Sequence, residues 1–98
     1  MSNRRRWLVA YDIRDSKRLR RVHQVVHAYG EQLQYSVYLC DLDKSERFTL
    51  MEELRETMHQ KEDSIAFVDL GELERDGSSA IEFMGTPIRL PGNGPRIV

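Results

Sequence analysis

Cysteine is nearly missing from this chain: Cys40 stands alone, so no internal disulfide can form, and the composition fits a reducing compartment. Long apolar runs are missing too. No stretch approaches the roughly 20 residues that cross a bilayer as a helix. The arginines near the start lead into no apolar core with a small-residue cleavage site. The expected location is the cytoplasm, with no membrane contact. A glycine-rich phosphate loop, a serine elbow and paired Cys-x-x-Cys motifs are absent, which removes P-loop, serine-hydrolase and zinc-ribbon chemistry from the candidates. A charge excess is absent as well: 15 Lys and Arg face 16 Asp and Glu, a formal net charge of −1. That balance argues against a uniformly basic nucleic-acid binder. No internal repeat, low-complexity tract or interdomain linker divides the chain.

What is present is one domain of 98 residues, 40% hydrophobic and 32% charged. A chain of this size buries only roughly two thirds of its unfolded surface, so a partner subunit would add to its stability. The charges are unevenly spread. Eight basic residues against two acidic ones leave positions 1–21 at +6, so the remainder carries −7. Such asymmetry points to one face for a polyanion or an acidic partner.

The run Trp7–Tyr11 is short, aromatic and β-branched, and reads as a buried central strand ending on Asp12. Asp15 and Ser16 can each cap the helix that follows, expected from Ser16 to Tyr29 and stopped by Gly30 in a left-handed position. Leu19, Val22, Val26 and Tyr29 form its apolar stripe, widened by Val25. Gln32–Cys40 alternates, with Leu33, Tyr35, Val37 and Leu39 on an expected core face and Gln34, Ser36, Tyr38 and Cys40 on a more polar one. The short link before it suggests placement beside the first strand.

Asp43 or Ser45 can cap a second helix that ends near Gln60, with Phe48, Met51, Leu54 and Met58 as its stripe. Ser64–Leu70 reads as a strand covered on both faces, and Ala80–Met84 as a further short one. Gly85, Thr86 and Pro87 then bend the chain into Ile88–Leu90 and a Pro/Gly-rich tail, which either frays or lies along a partner's sheet edge. The expected fold class is α+β, a two-layer ferredoxin-like βαββαβ sandwich with an extra C-terminal edge strand.

Asp12 is the candidate for chemistry, because a carboxylate at the end of a buried strand beside a helix start is well placed to meet a ligand. It can equally cap a turn or pair with Arg14. Lys17, Arg18 and Arg21 sit near the helix start, as surface solvation or as phosphate contacts. One carboxylate makes a thin metal site, but two copies of Asp12 facing each other across a two-fold axis would suit a bridging divalent ion. His23 and His27 have chelating spacing without a third ligand, so packing or surface roles are expected. Glu52, Glu53 and Glu56 read as a solvated helix face, and Cys40 as a small apolar filler. The interleaved strand aromatics of RNA-recognition domains are not matched, so base stacking is a weak candidate.

The stretch VAYDIRDSKRLRRVHQVVHAYGEQLQYSVYLCDL resembles the N-terminal half of the CRISPR-associated protein 2 family, the smaller core protein of CRISPR adaptation in antiviral defence. The likeness rests on Tyr11, Asp12 and Ile13, the run through Asp15, Lys17, Arg18, Arg20 and Arg21, then Tyr29–Gly30 and Gln34–Tyr38. DSIAFVDLG and IEFMG fit more loosely. The resemblance implies a homodimer of ferredoxin-like subunits, with residues 85–98 docking on the partner, in a single domain over 1–98. It implies Asp12 as catalytic residue and as ligand to Mg²⁺ or Mn²⁺, shared with the dimer mate, and Arg14, Lys17, Arg18, Arg21 and Ser36 as nucleic-acid contacts. The implied partners are the CRISPR integrase, duplex DNA and single-stranded RNA.

Two activities are implied: a bridge between integrase subunits in spacer acquisition, and metal-dependent endonuclease cleavage of RNA or DNA. The alternative is a stand-alone ribonuclease of toxin type. Leu19 replaces a basic residue common in the family, and Tyr38 a usual phenylalanine. The arginines at 4–6 read as a basic extension, either a further duplex contact or a disordered tail.

Overall fold

A computed structural model describes residues 3–73 and 81–86, with the backbone of 96–97. The elements run β1 (Arg5–Asp12), α1 (Ser16–His27), β2 (Gly30–Gln34), β3 (Val37–Leu42), α2 (Lys44–Thr57), β4 (Ser64–Glu72), β5 (Glu82–Phe83) and β6 (Arg96–Ile97). The four long strands form one antiparallel sheet in the order β2-β3-β1-β4, the expected α+β arrangement. β1 is central, and Val9, wholly buried, faces Tyr38 on one side and Phe67 on the other.

Both helices lie on the sheet face that carries Val9, Tyr11, Tyr38 and Cys40. α1 inserts Val22 and Val26, α2 inserts Leu50 and Leu54, and these side chains close one core. Full burial of each is worth about 1.5–3 kcal/mol. A smaller cluster on the opposite face joins Leu33, Leu39 and Phe83, with Leu8, Val37, Leu70 and Ile81 against it. β5 therefore covers part of the outer sheet face, and β6 pairs with it in parallel within the same chain. Ile88–Leu90 and most of the C-terminal tail lie outside the described residues.

Several expectations are corrected. The alternating stretch 32–40 is not one strand: Tyr35 and Ser36 turn the chain, and β2 and β3 form a hairpin. The face expected to be more polar is covered as well, while Leu33 and Leu39 are buried in the smaller cluster. Tyr38 and Cys40 are fully buried under the helices, whereas Tyr35 is 77% exposed at the hairpin tip. β3, not β2, lies beside β1. α1 ends at His27, with Ala28 in an αR cap, and Gly30 is needed for space instead. A Cβ there would stand 2.2 Å from the Leu39 carbonyl oxygen and 2.7 Å from Cys40 Sγ. Phe48 is 66% exposed, its place in the stripe taken by Leu50. β4 is an edge strand, so Ala66 and Val68, opposite Ala10 and Leu8, stay exposed on the outer face.

Candidate nucleic-acid and metal site

Alternation along β1 sends Val9 and Tyr11 under the helices and leaves Asp12 outside, at the strand's last position opposite Ser64 of the edge strand. The Asp12 carboxylate is exposed and has neither hydrogen bond nor ion pair among the described residues. Neither ordinary role, turn cap or partner of Arg14, is taken up. The turn into α1 is held by other carboxylates. Asp15 is the N-cap, and its Oδ2 accepts from the Arg18 N–H at 2.9 Å. That hydrogen bond, foremost, holds the Asp15 carboxyl below its usual range.

Asp63, just before β4, is the anchor that sequence reading missed. Its side chain is fully buried and accepts from the Arg14 N–H at 2.9 Å, the His59 N–H at 2.8 Å and Arg18 Nε at 2.8 Å. The Arg18 guanidinium, with the two backbone donors, drives the Asp63 carboxyl far below its ordinary range. The same fork reaches Glu62 at 3.0 Å. Nothing near Asp63 in the sequence marks it, because both partners at the helix start lie more than forty residues away.

The expected contacts therefore separate. Arg18 points inward, its guanidinium committed to Asp63 and Glu62. Arg14, Lys17 and Arg21 are exposed, and their side chains have no ion pair among the described residues; Arg20 joins them. Ser36, half-buried at the hairpin tip, has its carbonyl bound by the Tyr11 N–H at 3.0 Å, which ties the tip to the end of β1. Arg4, Arg5 and Arg6 are not a tail. Arg4 pairs with Glu46 at 2.7 Å, Arg5 with Asp69 at 3.0 Å and Arg6 with Asp41 at 2.9 Å. The +6 of the first 21 residues is thus largely spent internally.

Tyr11, Ser16, Leu19, Arg20, His23, Tyr35 and Ser36 line a groove of about 400 Å³ between α1 and the hairpin tip. His23 sits in its wall, Nδ1 3.2 Å from the Tyr11 hydroxyl and Nε2 3.1 Å from that of Tyr38. Burial, with the neighbouring tyrosines, pushes the Tyr11 hydroxyl up to about 12. His27 stacks on His23 at 6.0 Å and meets the Tyr38 hydroxyl at 3.3 Å, so both histidines pack as expected. Cys40 is buried, and burial pushes its thiol up to about 12, which suits a filler rather than a nucleophile.

Among the described residues no group of three or more His, Cys, Asp or Glu side chains could hold a metal within one chain. Asp12 nevertheless fits as half of a site, because its carboxylate has no partner among the described residues to give up and Mg²⁺ usually takes one or two carboxylates while keeping waters.

Residues 5–76 match the family model described as CRISPR associated protein Cas2. A CRISPR-associated endoribonuclease Cas2 of Rhodospirillum rubrum is 37% identical over 79 residues, which are 81% of this chain and 76% of that protein. A CRISPR-associated endonuclease Cas2 of Halalkalibacterium halodurans is 33% identical, over 65% of this chain and 72% of that one. Among solved structures, Streptococcus pyogenes Cas2 superposes with a TM-score of 0.63 at 34% identity, over 67% of this chain and 86% of that one. A hypothetical protein from Thermus thermophilus superposes with a TM-score of 0.75 at 26% identity, over 87% and 95% of the two chains.

Proposed function

Because the chain belongs to the Cas2 family of CRISPR-associated proteins, we propose that it is a nucleic-acid-binding endonuclease, acting as a dimer in which Asp12 of both subunits serves one divalent-cation site. The observation that carries this reading is the Asp12 carboxylate, exposed and without a partner among the described residues at the end of a rigid central strand. Relatives named endoribonuclease and endonuclease support it.

The chain's own residues bind and orient. Arg14, Lys17 and Arg21, exposed near the end of β1, would neutralise phosphates of the bound strand, while Arg18 and Asp63 hold the turn that carries Arg14. Asp12 from each subunit would hold the cation, whose contribution when bound is Lewis acidity toward a phosphate oxygen. Hydrolysis then adds water across the phosphodiester: an oxygen–phosphorus bond forms, the bond to the leaving oxygen breaks, and that oxygen takes a proton.

The test is cleavage of labelled single-stranded RNA and duplex DNA in Mg²⁺. Asp12→Asn is expected to cut at least about a hundredfold more slowly, in line with the several kcal/mol that metal charge stabilisation supplies, while binding the same strands as tightly. Wild-type rates in the variant would remove the metal reading.

A second reading, a bridge between CRISPR integrase subunits along a DNA segment, is favoured by the strip Arg14, Lys17, Arg20 and Arg21, which needs no Asp12 to meet a duplex. Spacer integration with the cognate integrase separates the two. Full integration by Asp12→Asn assigns the biological role to the bridge; its loss with dimerisation and DNA binding intact assigns it to the metal site.

A further inference from the structure

Duplex phosphates are met chiefly by exposed cations and polar groups, yet the groove beside the end of β1 carries a ring that such contacts do not need. Tyr35 stands 77% exposed at the β2–β3 tip. Its neighbour Ser36 has φ 62°, the one positive φ outside glycine among the described residues, a conformation that costs an ordinary L-residue on the order of 1 kcal/mol. The tip is nonetheless fixed, because the Tyr11 N–H binds the Ser36 carbonyl at 3.0 Å. The ring is therefore displayed on a held turn.

The rest of the groove is matched to a flat, polar-edged ligand carrying an anion. Leu19 gives an apolar wall, Ser16 a hydroxyl and Arg20 a guanidinium with no ion pair among the described residues. His23 is fixed between the Tyr11 and Tyr38 hydroxyls at 3.2 and 3.1 Å. A volume of about 400 Å³ is of the size of one nucleotide. Aromatic platforms beside a cation are how proteins hold unpaired bases, with little sequence preference because every base has a π-face.

Resting on the reading of the chain as a nucleic-acid binder, we propose that this groove takes a single unpaired nucleotide, its base stacked on Tyr35 and its phosphate at Arg20. The protein then prefers ends and junctions where a base has left the duplex over uninterrupted duplex.

The experiment uses the full chain and two duplexes of equal length, one blunt and one with a single overhanging 2-aminopurine, made in deoxyribose and ribose forms. Wild type is expected to bind the overhang duplex more tightly and to quench the 2-aminopurine on binding. Tyr35→Ala should weaken that complex by about tenfold or more, abolish the quench, and leave blunt-duplex affinity within about twofold. Tyr35→Phe, which keeps the ring, should retain both properties, and Arg20→Ala should weaken the overhang complex with the quench preserved. Comparing the two sugar forms assigns the preferred strand. Equal affinity of wild type for both duplexes, or an undiminished quench in Tyr35→Ala, overturns the inference while the proposed function stands. Binding of neither duplex, nor of single-stranded RNA, removes both.

Discussion

Asp63 is the residue on which the geometry of the helix start depends. It is a buried carboxylate holding two backbone N–H groups and one guanidinium, so removing its charge leaves Arg18 with Glu62 as its sole ion-pair partner among the described residues. Asp63→Asn is expected to destabilise the fold by roughly 3 kcal/mol, the cost typical of breaking a buried pair, read as a lower urea midpoint. The pH dependence has a definite sign. The folded carboxyl lies far below its ordinary value of 3.8, so below about pH 4 the unfolded chain takes up the proton first. The contribution of Asp63 is present above that pH and fades as the pH falls toward the folded value. The gap between wild type and Asp63→Asn should accordingly narrow from about pH 6 to about pH 3, and a gap that widened on acidification would refute the pairing. On the alkaline side, Tyr11 and Tyr29 are each pushed up to about 12, by burial and by the hydrogen bond to Glu53 respectively. Their tyrosinate absorbance is expected to appear at a higher pH in folded than in urea-unfolded protein.

At the scale of elements, the β2–β3 hairpin is where local reading failed, for a definite reason. Residues 32–40 alternate without a break, so period two carried through Tyr35 and Ser36, where no glycine or Asn-Gly pair signals a turn. The turn is made by Ser36 in a left-handed conformation, which the sequence does not advertise, and its tie to Tyr11 is tertiary. Gly30 was legible as special but not for its actual cause, since the Leu39 carbonyl that crowds it belongs to the next strand. Gly30→Ala must move backbone. A loss of about 1–3 kcal/mol, as for overpacked cores, is expected in chemical denaturation. In α2 two similar apolar residues should behave differently. Leu54, 2% exposed, should cost about 2–5 kcal/mol when cut to Ala, whereas Phe48, 66% exposed, should cost no more than about 0.5 kcal/mol. Comparable losses at the two sites would mean that α2 is rotated from the position described.

At the scale of the molecule, the sheet has one face closed by helices and another only partly covered. β5 lies over Leu33 and Leu39, but near the β4 edge Val68 is 46% exposed and Ala66 is exposed beside it. For the proposed dimer this bare strip is the apolar surface available to a second copy, with Asp12 at the end of the neighbouring strand. Val68→Lys is expected to shift sedimentation toward the monomer with helical circular dichroism unchanged. A dimer as stable as wild type would place the interface elsewhere.

The sequence by itself determined what is local or periodic: the two helices and the strands β1 and β4, a capping residue at each helix start narrowed to two neighbours in α1 and to Asp43 or Ser45 in α2, the α1 stripe, and Asp12 as the last residue of a buried strand. Those features depend on neighbours within a turn or two, which spacing displays. Only the tertiary structure decided which charges are available. Arg18 meets Asp63 45 residues away, Arg6 meets Asp41 35 away and Arg5 meets Asp69 64 away. Folding pairs Arg4, Arg5, Arg6 and Arg18 of the eight basic residues in positions 1–21 and leaves Arg14, Lys17, Arg20 and Arg21 without an ion pair among the described residues. Charge pairing follows distance in space, and a sequence gives only distance along the chain.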